Sequence, residues 1–374
     1  MKLLIVTNYL GNKGGLGRYS SEVVKATEQL PIEFGIATES KSPTSLREDC
    51  ILKPVFNRSK IKVVFNILSN LIALRRKARG YDIIHAHDGW PYGFYAYFAI
   101  LGTRKKLFIT GVGTYSVAPF KKKIIGFFIR KAYRRASNIF CISDFVKNEI
   151  DKECPGVNTT VVLMGATKLP EISDVQIRQF KKQYGIEDGK SYPIVLTVGD
   201  IKRRKGQLDT LKSLNILKNE YPSFRYIMIG NGDDKYYINQ IKDFAKENKL
   251  LDNIEIISNL YDDSILSYFY SICHLFMLNS NNENDHFEGF GLVMLEAAQF
   301  GNPVIGSKGC GIENAMEDCY NGFLTEQGNH NDISQKISKI LKEQNLTFSK
   351  NSKEFYTRFS WTKTVGKYYE SYLK

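Results

Sequence analysis

Two acidic residues, Glu288 and Glu296, stand eight positions apart in the segment ENDHFEGFGLVMLEAAQFGNPVIG (residues 283–306), with Gly289 and Gly291 between them. The glycines and the apolar pattern after them predict a loop that leads into a helix N-terminus. Free backbone N–H groups and the helix dipole favour an anion such as phosphate there. One carboxylate before the helix and another inside it suit a ligand with both phosphate and hydroxyl groups, such as a nucleotide-activated sugar.

Four consecutive cations offer a complementary contact for phosphate. Lys202, Arg203, Arg204 and Lys205 lie in VGDIKRRKG (residues 198–206), between a predicted strand and a helix that we expect to start near Gly206. Most runs of this kind are only solvated surface. At the end of a strand, however, Lys and Arg would offset the charge that develops on a departing nucleotide diphosphate.

A glycine-rich segment, NYLGNKGGLGRYS (residues 8–20), follows the first predicted strand. One interpretation is a dinucleotide-binding turn, with Glu39 at the end of the second strand as the ribose-binding acid. The spacing disfavours it, because Asn8, Tyr9 and Leu10 intervene before the first glycine and no G-x-G-x-x-G follows. Gly15 and Gly17 therefore predict a loop that faces a ligand, and a glycine loop without any ligand is the alternative.

Two histidines and an acid, His85, His87 and Asp88, lie in DIIHAHDGW (residues 82–90) and resemble metal-ligand spacing only loosely. On a strand, positions 85 and 87 share one face, but no further ligand cluster follows, so we expect no metal site. One histidine is expected to pack in the sheet. His87, at the carboxyl end of the strand, is the one that we expect to face a cleft and bind sugar hydroxyls.

A basic amphipathic segment occupies residues 120–136. Its cations are Lys121, Lys122, Lys123, Arg130, Lys131, Arg134 and Arg135, and isoleucines and phenylalanines lie between them. Such a helix can lie on an anionic membrane, at about 1 kcal/mol per cation near the surface. Core packing of the apolar stripe is the alternative, and both interpretations can hold for different side chains.

The positive charge is concentrated in the first part of the chain. Residues 1–168 carry 27 Lys and Arg against 12 Asp and Glu, whereas residues 169–374 carry 25 against 27. This asymmetry favours an anionic partner, either a membrane surface or nucleic acid. No recognisable nucleic-acid-binding motif accompanies the charge, so we predict the membrane and no nucleic acid.

Short apolar strands alternate with amphipathic helices nearly end to end, which is typical of parallel sheets with helices on both faces. The predicted strands are residues 2–6, 32–37, 82–86, 106–110, 138–142, 193–198, 225–229, 253–257, 274–278 and 303–306. The rhythm breaks at residues 164–191, close to the change in charge. We therefore predict an α/β protein of two doubly wound, Rossmann-like domains, 1–168 and 169–354, that face a central ligand cleft.

Targeting and redox signals are weak in this sequence. The apolar run in the opening MKLLIVTNYL is too short for the core of a signal peptide. No apolar run approaches the roughly 18 residues of a membrane span. The cysteines show no C-x-x-C spacing, so neither a disulfide framework nor a zinc site is indicated. These features favour a cytoplasmic protein.

Together these segments resemble the family 4 retaining glycosyltransferases of GT-B architecture (glycosyl transferases group 1), in the family's order and over nearly the whole chain. The matching segments are GGLGRYS (14–20), HAHD (85–88), ISDFVKNEI (142–150), VG…KG (198–206), IGNGDD (229–234), EGFGLVMLEA (288–297), GCGIENAMEDCYNGFL (309–324) and the helix that follows FSW. The two glutamates with seven residues between them, set in that order, are the most specific feature.

The resemblance implies a role for each matching residue. Lys205 would hold the donor diphosphate, Glu288 would contact the donor sugar, and Glu296 would bind the nucleotide ribose hydroxyls. The N–H groups of a short loop would face the sugar and phosphate, and an N-terminal glycine pair would close over the donor. These residues are Gly289, Phe290 and Gly291 for the short loop, and Gly15 and Gly17 for the pair.

Similar enzymes transfer the sugar with retention, without a required metal or other cofactor and without an established enzyme nucleophile. Glu288 is therefore expected to position the sugar rather than to act as a base. Their C-terminal helix commonly returns to the first domain, which the resemblance implies for residues 355–374.

Two positions depart from the family pattern. The family often has arginine where Asp200 stands, and we expect Arg204 to substitute as a phosphate partner. A histidine is also common at the position of Val112, which shifts the expected sugar contact toward His87.

The whole pattern predicts a hexosyltransferase that takes a nucleotide sugar as donor and a lipid-linked or glycan molecule as acceptor. We expect it at the cytoplasmic face of the membrane, as a peripheral protein of surface polysaccharide synthesis. Two other classes remain open. A non-catalytic nucleotide-sugar-binding or scaffold protein is kept open by Asp200 and Val112, and a nucleotide-sugar epimerase would need acid and base residues around the sugar.

Overall fold

Contacts within the chain divide it into two units. The structure, a computed structural model, describes residues 1–12, 14–39, 49–54, 60–186, 193–342 and 346–374. One unit contains Met1–Gly165 together with Ser360–Lys374, and the other contains Ala166–Phe359. The boundary thus lies after residue 165, against a predicted position after residue 168. The C-terminal segment of the first unit begins at Ser360, against a predicted start at residue 355.

The described residues of each unit form one sheet, and all the strand pairs found in it are parallel. In chain order the strands of the first sheet are β1 (Lys2–Val6), β2 (Glu33–Thr38), β3 (Cys50–Ile51), β4 (Ile83–His87), β5 (Lys106–Gly111), β6 (Asn138–Cys141) and β7 (Thr159–Val161). Those of the second are β8 (Ile194–Val198), β9 (Arg225–Gly230), β10 (Ile254–Ser258), β11 (Leu275–Leu278), β12 (Val304–Ser307) and β13 (Gly322–Thr325).

The strand orders are β3-β2-β1-β4-β5-β6-β7 and β10-β9-β8-β11-β12-β13. In both sheets the chain starts at a central strand, builds one side, then crosses back and builds the other. That is the doubly wound arrangement of Rossmann-like domains. The predicted class, an α/β protein of two such domains, is confirmed.

Helices lie between most successive strands, and further helices follow the last strand. In chain order they are α1 (Gly15–Thr27), α2 (Lys60–Ala78), α3 (Phe94–Ile100), α4 (Thr114–Val117), α5 (Lys123–Arg135), α6 (Asp144–Glu153), α7 (Asp174–Gln183), α8 (Gln207–Ile216), α9 (Lys235–Glu247), α10 (Asp263–Ile272), α11 (Leu292–Gln299), α12 (His330–Lys342), α13 (Leu346–Thr357) and α14 (Trp361–Leu373). Among the described helices, none combines the length and the apolar character of a membrane span.

The central strands β4 and β8 contain no Asp, Glu, Lys or Arg, which allows them to be enclosed. Every residue of β4 and of β8 is buried. Because successive side chains of a strand point to opposite faces, both faces of each sheet must be covered. All ten predicted strands are present within one residue at each end. β3, β7 and β13 were not predicted, because they are only two to four residues long and lack an extended apolar run.

The last helix, α14, belongs to the first unit. Tyr368 in α14 and Tyr19 in α1 are both buried, and their hydroxyl oxygens are 3.0 Å apart. A Cβ on Gly165 would lie 2.3 Å from the backbone nitrogen of Trp361, so only glycine fits where the chain leaves the first unit. The aromatic face of α14 is therefore part of the core of this unit.

Candidate active site

The second sheet reverses its winding direction between β8 and β11. These strands are neighbours, with Leu196 opposite Phe276, although β9 and β10 separate them in sequence. The connections after two such strands diverge, and ligands of α/β sheets bind in the crevice that this leaves at the carboxyl ends of the strands. Residues 199–206 follow β8 and residues 279–291 follow β11. The cationic and the acidic segments of the sequence therefore meet at this point.

A tight approach of the two connections positions the cations. Arg203–Lys205 form a 3-10 turn after β8, and Gly206 follows it with φ 71°. A Cβ on Gly206 would lie 1.8 Å from the backbone oxygen of Asn279. Any residue other than glycine would therefore clash at this position. The backbone N–H of Asn281 also donates to the Arg204 carbonyl at 2.8 Å. The turn is thus held against the connection that carries Glu288.

Glu288 joins these residues into one ion cluster. Its Oε2 lies 2.6 Å from Lys205 Nζ and 3.2 Å from Arg204 Nη1, and Ser280 Oγ lies 3.4 Å away. Only 12% of the Lys205 side chain, 17% of Arg204 and 13% of Glu288 is exposed. The sequence pattern did not single out Ser280. Its position directly after β11, beside β8, is the signal that points to it.

The ionisation of Glu288 is set by its partners. Burial by itself raises the pKa of this carboxyl, but the charges of Lys205 and Arg204 and their hydrogen bonds outweigh burial and hold the pKa at about 2. The carboxylate is therefore ionised near neutral pH. It can accept hydrogen bonds from hydroxyl groups, and it is not available there as a proton donor. Two cations beside one carboxylate also leave a net positive charge for an anionic group.

Glycines shape the backbone between Glu288 and α11. Gly291 takes φ 88° at the N-cap of the helix. A Cβ on Gly311 would come within 1.9 Å of the Gly289 carbonyl oxygen, and the Gly311 N–H donates to the Glu288 carbonyl at 2.8 Å. Phe290 is buried and packs its ring edge-on toward Phe359, so its side chain anchors the loop. A contact of the loop N–H groups with the donor stays a prediction.

Glu296 lies inside α11 and is only 3% exposed. Its Oε2 accepts a hydrogen bond from the Tyr270 hydroxyl at 2.9 Å. The two acids that stand eight positions apart therefore have different surroundings. Glu288 belongs to the ion cluster, whereas Glu296 is buried and hydrogen-bonded to Tyr270. The ribose contact of Glu296 stays a prediction.

The other two cations of the run have different partners. Lys202 Nζ lies 2.5 Å from Oδ2 of Asp200, and Arg203 Nε lies 3.1 Å from Oε1 of Glu283. Lys202 thus balances the acid that departs from the family pattern. Arg204, which the sequence favoured as the substitute phosphate partner, is one of the two cations beside Glu288.

In the first unit, Gly15 and Gly17 lie in the first turn of α1 rather than in an open loop before it. Gly14, with φ 80°, makes the turn, so the helix starts earlier than the glycine pattern indicates. A Cβ on Gly17 would lie 2.6 Å from the ring of Tyr9, whereas nothing lies within 4 Å of a Cβ on Gly15. A side chain at position 17 would therefore have to displace the Tyr9 ring, and donor contacts of both glycines stay a prediction.

His87 is fully buried, which corrects its expected exposure to a cleft. Its Nδ1 lies 3.0 Å from Ser20 Oγ, and its ring meets Tyr19 edge-on at 4.9 Å between centroids. Burial lowers the pKa of His87 to about 3, so the ring is neutral. His85, on the same strand face, is also buried and bonds to Tyr372 in α14. Helices α1 and α14 cover this face, and the end of β4 is therefore enclosed.

Asp88, directly after β4, is a further buried acid. It accepts hydrogen bonds from the Gly89 N–H at 2.8 Å and from the Ser116 hydroxyl. Burial raises its pKa to about 7, although both hydrogen bonds act to lower it. Ser116 Oγ also accepts a hydrogen bond from the N–H of Val112 at 3.0 Å. Val112, where the family often has histidine, thus takes part in this network through its backbone.

The basic segment forms a 3-10 turn (Ala118–Lys121) and α5. Its exposed cations are Lys121, Lys122, Lys123, Lys131 and Arg134. Ile124 and Phe127 on the same helix are 76% and 53% exposed, whereas Ile129, Ala132 and Tyr133 are in the core. Core packing therefore applies to some apolar residues of α5, and others are exposed as a membrane contact would require.

The remaining two cations of the segment have contacts inside the unit. Arg130 pairs with Glu153, Nη2 to Oε2 at 3.5 Å, and donates to the Phe120 carbonyl at 3.0 Å. Arg135 donates to the carbonyls of Thr103 and Lys105 at 3.3 and 2.8 Å. Both are less exposed than the lysines, because their guanidinium groups hold neighbouring backbone.

Comparison with known proteins agrees with this architecture. The chain matches two family models, Glycosyltransferase Family 4 over residues 13–165 and Glycosyl transferases group 1 over residues 176–355. It is 27% identical to an uncharacterized glycosyltransferase of Methanocaldococcus jannaschii, over 98% of this chain and 96% of that one. It is 22% identical to the capsular polysaccharide biosynthesis glycosyltransferase CapM of Staphylococcus aureus, over 64% of this chain and 61% of CapM.

Among solved structures, Anabaena HepE in complex with UDP and glucose has a TM-score of 0.80 at 18% identity, with 100% of both chains covered. This likeness is one of fold. The two family models lie one in each unit and together cover most of the sequence. The chain therefore belongs to the family 4 glycosyltransferases, with a glycosyl transferases group 1 domain as its second unit.

Proposed function

We propose that this glycosyltransferase retains the anomeric configuration and moves a hexose from a nucleotide-diphosphate sugar to a lipid-linked or glycan acceptor. The observation that carries the proposal is the cluster of Glu288, Lys205 and Arg204 at the point where the second sheet reverses its winding. Both charge types that a nucleotide sugar needs are present within one hydrogen-bond distance of each other.

Donor binding would exchange partners within this cluster. The diphosphate oxygens would accept hydrogen bonds from Lys205 and Arg204, which now contact Glu288 at 2.6 and 3.2 Å. The carboxylate of Glu288, released from part of this pairing, would accept hydrogen bonds from the sugar hydroxyls. Charge-assisted bonds of this kind are stronger than neutral ones and fix the sugar relative to its leaving group.

The chemistry we propose follows from the same charges. Negative charge grows on the diphosphate as the glycosidic bond breaks, and Lys205 and Arg204 would offset it. Glu288 is held ionised by its two partners, so it would position the sugar and would not deliver a proton. Glu296 and the N–H groups of Gly289, Phe290 and Gly291 would complete the donor site, at the ribose and at the phosphate.

The names of similar proteins support the substrate class. Anabaena HepE has been solved with UDP and glucose, and CapM is named for capsular polysaccharide biosynthesis. We accordingly propose a surface polysaccharide or its lipid-linked precursor as the product. Residues 1–168 carry 27 Lys and Arg against 12 Asp and Glu. This excess of positive charge supports a location of the enzyme at the anionic cytoplasmic face of a membrane.

Two substitutions test the donor site. Lys205→Ala and Glu288→Gln are each expected to lower sugar transfer by about a hundredfold or more, as is common when a group that stabilises the transition state is removed. Glu283→Gln, in the same connection but paired with Arg203, is the matched control and should leave transfer nearly unchanged. Full activity of both cluster variants would overturn the assignment.

A screen of nucleotide sugars by thermal shift identifies the donor, because a ligand of the folded state raises the melting temperature. Product analysis then separates the three functional classes. Transfer to an acceptor supports the proposal. Binding without turnover would indicate a scaffold protein, and a change of sugar stereochemistry without acceptor would indicate an epimerase.

A further inference from the structure

Helix α2 exposes a continuous apolar stripe. Ile61, Val64, Phe65, Leu68 and Ile72 are 84, 58, 63, 55 and 56% exposed. At about 100° per residue these five positions fall within an arc of about 100°, so they form one face of the helix. With a rise of 1.5 Å per residue the stripe is roughly 17 Å long. Scattered exposed apolar residues are common, but a contiguous face of this size marks an interaction surface.

The opposite face of α2 is the one that holds it in the unit. Leu74 and Ala78 are fully buried, and Asn70 is 1% exposed. Asn70 Nδ2 donates to the Tyr95 hydroxyl of α3 at 3.2 Å and to the Lys53 carbonyl at 2.8 Å. The stripe is therefore not a core face that has been left open. It is a second apolar face, and it points away from the packed one.

Cations border the stripe at both ends. Arg75, Arg76 and Arg79 follow the stripe at its C-terminal end and are exposed. At the other end, Lys53 Nζ lies 4.8 Å from the centre of the Phe65 ring. The sequence of α2 itself contains no Asp or Glu. An apolar helix face bordered by Lys and Arg is the pattern of helices that lie in the headgroup region of an anionic bilayer.

Helix α5 lies in the same layer of the first unit. The ring of Phe128 in α5 is 5.4 Å from that of Phe98 in α3, and Arg75 of α2 donates to the Phe98 carbonyl at 3.1 Å. Helix α3 thus connects α2 and α5. The exposed lysines, Ile124 and Phe127 of α5 add further cations and apolar side chains to this layer.

We propose that α2 is the element of this protein that enters the membrane. The five apolar side chains of the stripe would occupy the boundary between headgroups and acyl chains of an anionic bilayer, and the bordering cations would contact lipid phosphates. This inference rests on the proposed function at a membrane surface. It adds that apolar insertion by α2, and not only attraction by the cations of α5, holds the protein there.

Flotation of the full-length protein with vesicles tests the proposal. The probes are vesicles of phosphatidylcholine alone and of equimolar phosphatidylcholine and phosphatidylglycerol. Phe65→Ser/Leu68→Ser removes apolar area without changing charge and is expected to weaken binding to the anionic vesicles about tenfold or more. Ile216→Ser/Leu346→Ser changes two exposed apolar residues of the second unit, 50 and 85% exposed, and is the matched control. It should bind as the wild type does.

Three outcomes would overturn the inference, and they are distinguishable. Unchanged binding of Phe65→Ser/Leu68→Ser, together with weaker binding of Lys122→Ser/Lys123→Ser, would leave the membrane function standing without α2. Absence of wild-type binding would remove the membrane location as well, while sugar transfer tests the enzyme separately. A dimer seen by light scattering, lost in Phe65→Ser/Leu68→Ser without effect on flotation, would show that the stripe joins two copies. Far-ultraviolet circular dichroism confirms that each variant is folded.

Discussion

At the scale of single residues, Glu288 has the central place in the proposed mechanism. One of its oxygens contacts both Lys205 and Arg204. A buried carboxylate between two cations is costly to leave unpaired, so the three side chains are ordered before any ligand arrives. In the proposed donor complex the cations would gain phosphate partners while the carboxylate accepts hydrogen bonds from sugar hydroxyls, so each group would keep a hydrogen-bond partner. This preorganisation is what makes the cluster suitable for a donor with phosphate on one side and hydroxyls on the other.

Glu39 provides a prediction of pH dependence. It follows β2, and its Oε1 is buried with no hydrogen-bond partner among the residues that the structure describes. Burial raises its pKa from 4.5 to about 7, against the lowering effect of a hydrogen bond with Tyr92. Folding thus favours the protonated form. The contribution of Glu39 to the free energy of unfolding is therefore lost as pH rises from its unfolded pKa through about 7.

Glu39→Gln removes this ionisation. We expect its melting temperature to exceed that of the wild type at about pH 8, with no such gain at about pH 5. Glu28→Gln, at an exposed position after α1, controls for the loss of an acid in the same unit. If Glu39→Gln and the wild type lose stability equally on going to the higher pH, the buried carboxyl is not responsible.

At the scale of elements, the 3-10 turn after β8 determines where the cations lie. Gly206→Ala introduces a Cβ that would overlap the Asn279 carbonyl at 1.8 Å, in a left-handed backbone with φ 71°. The left-handed conformation alone costs about 1–2 kcal/mol for a residue with a Cβ. We expect a larger loss of unfolding free energy than that, together with weaker donor binding, because the turn must move away from the connection after β11.

Gly185→Ala is the matched control for this turn. Gly185 has a similar φ of 65°, but a Cβ added there would have no atom within 4 Å. Its loss of stability should be limited to the backbone cost, and donor binding should be unaffected. Urea unfolding and calorimetric titration with the donor measure both quantities. Equal effects of the two substitutions would show that the close approach at Asn279 has no consequence.

At the scale of the whole molecule, charge is distributed by unit. Reversal of the exposed cations, as in Lys122→Glu/Lys123→Glu, is expected to lower binding to anionic vesicles by about thirtyfold or more, since each of the two cations near the surface contributes about 1 kcal/mol. The effect should shrink at higher salt because surface charges are then screened. Lys218→Glu/Lys342→Glu in the second unit is the control. Binding that is insensitive to both salt and these reversals would contradict an electrostatic contribution.

Metal removal tests another property of the whole enzyme. We propose that Lys205 and Arg204 supply the positive charge that other transferases take from a divalent cation. Sugar transfer after treatment with EDTA should then equal that of the untreated enzyme, and added Mg²⁺ or Mn²⁺ should not raise it. A large loss that either metal reverses would show that the two side chains are not sufficient.

The sequence by itself determined the order of strands and helices and the charged segments of the candidate site. Apolar periodicity is a local property, so all ten predicted strands agree with the structure within a residue. The order of motifs indicated that Glu288 and Lys205 act together, although 83 positions separate them. The 2.6 Å contact between Lys205 Nζ and Glu288 Oε2 depends on the sheet order, which makes β8 and β11 neighbours.

Only the tertiary structure decided which faces are covered. His87 lies at a strand end where the sequence predicts exposure, but it is buried against α1, and α14 covers His85 on the same strand face. The apolar residues of α2 have the spacing of a core face, yet Leu68 is 55% exposed while Leu74 on the other face is fully buried. Periodicity tells which side chains share a face. Whether that face meets solvent, lipid or protein depends on neighbours that are distant in sequence.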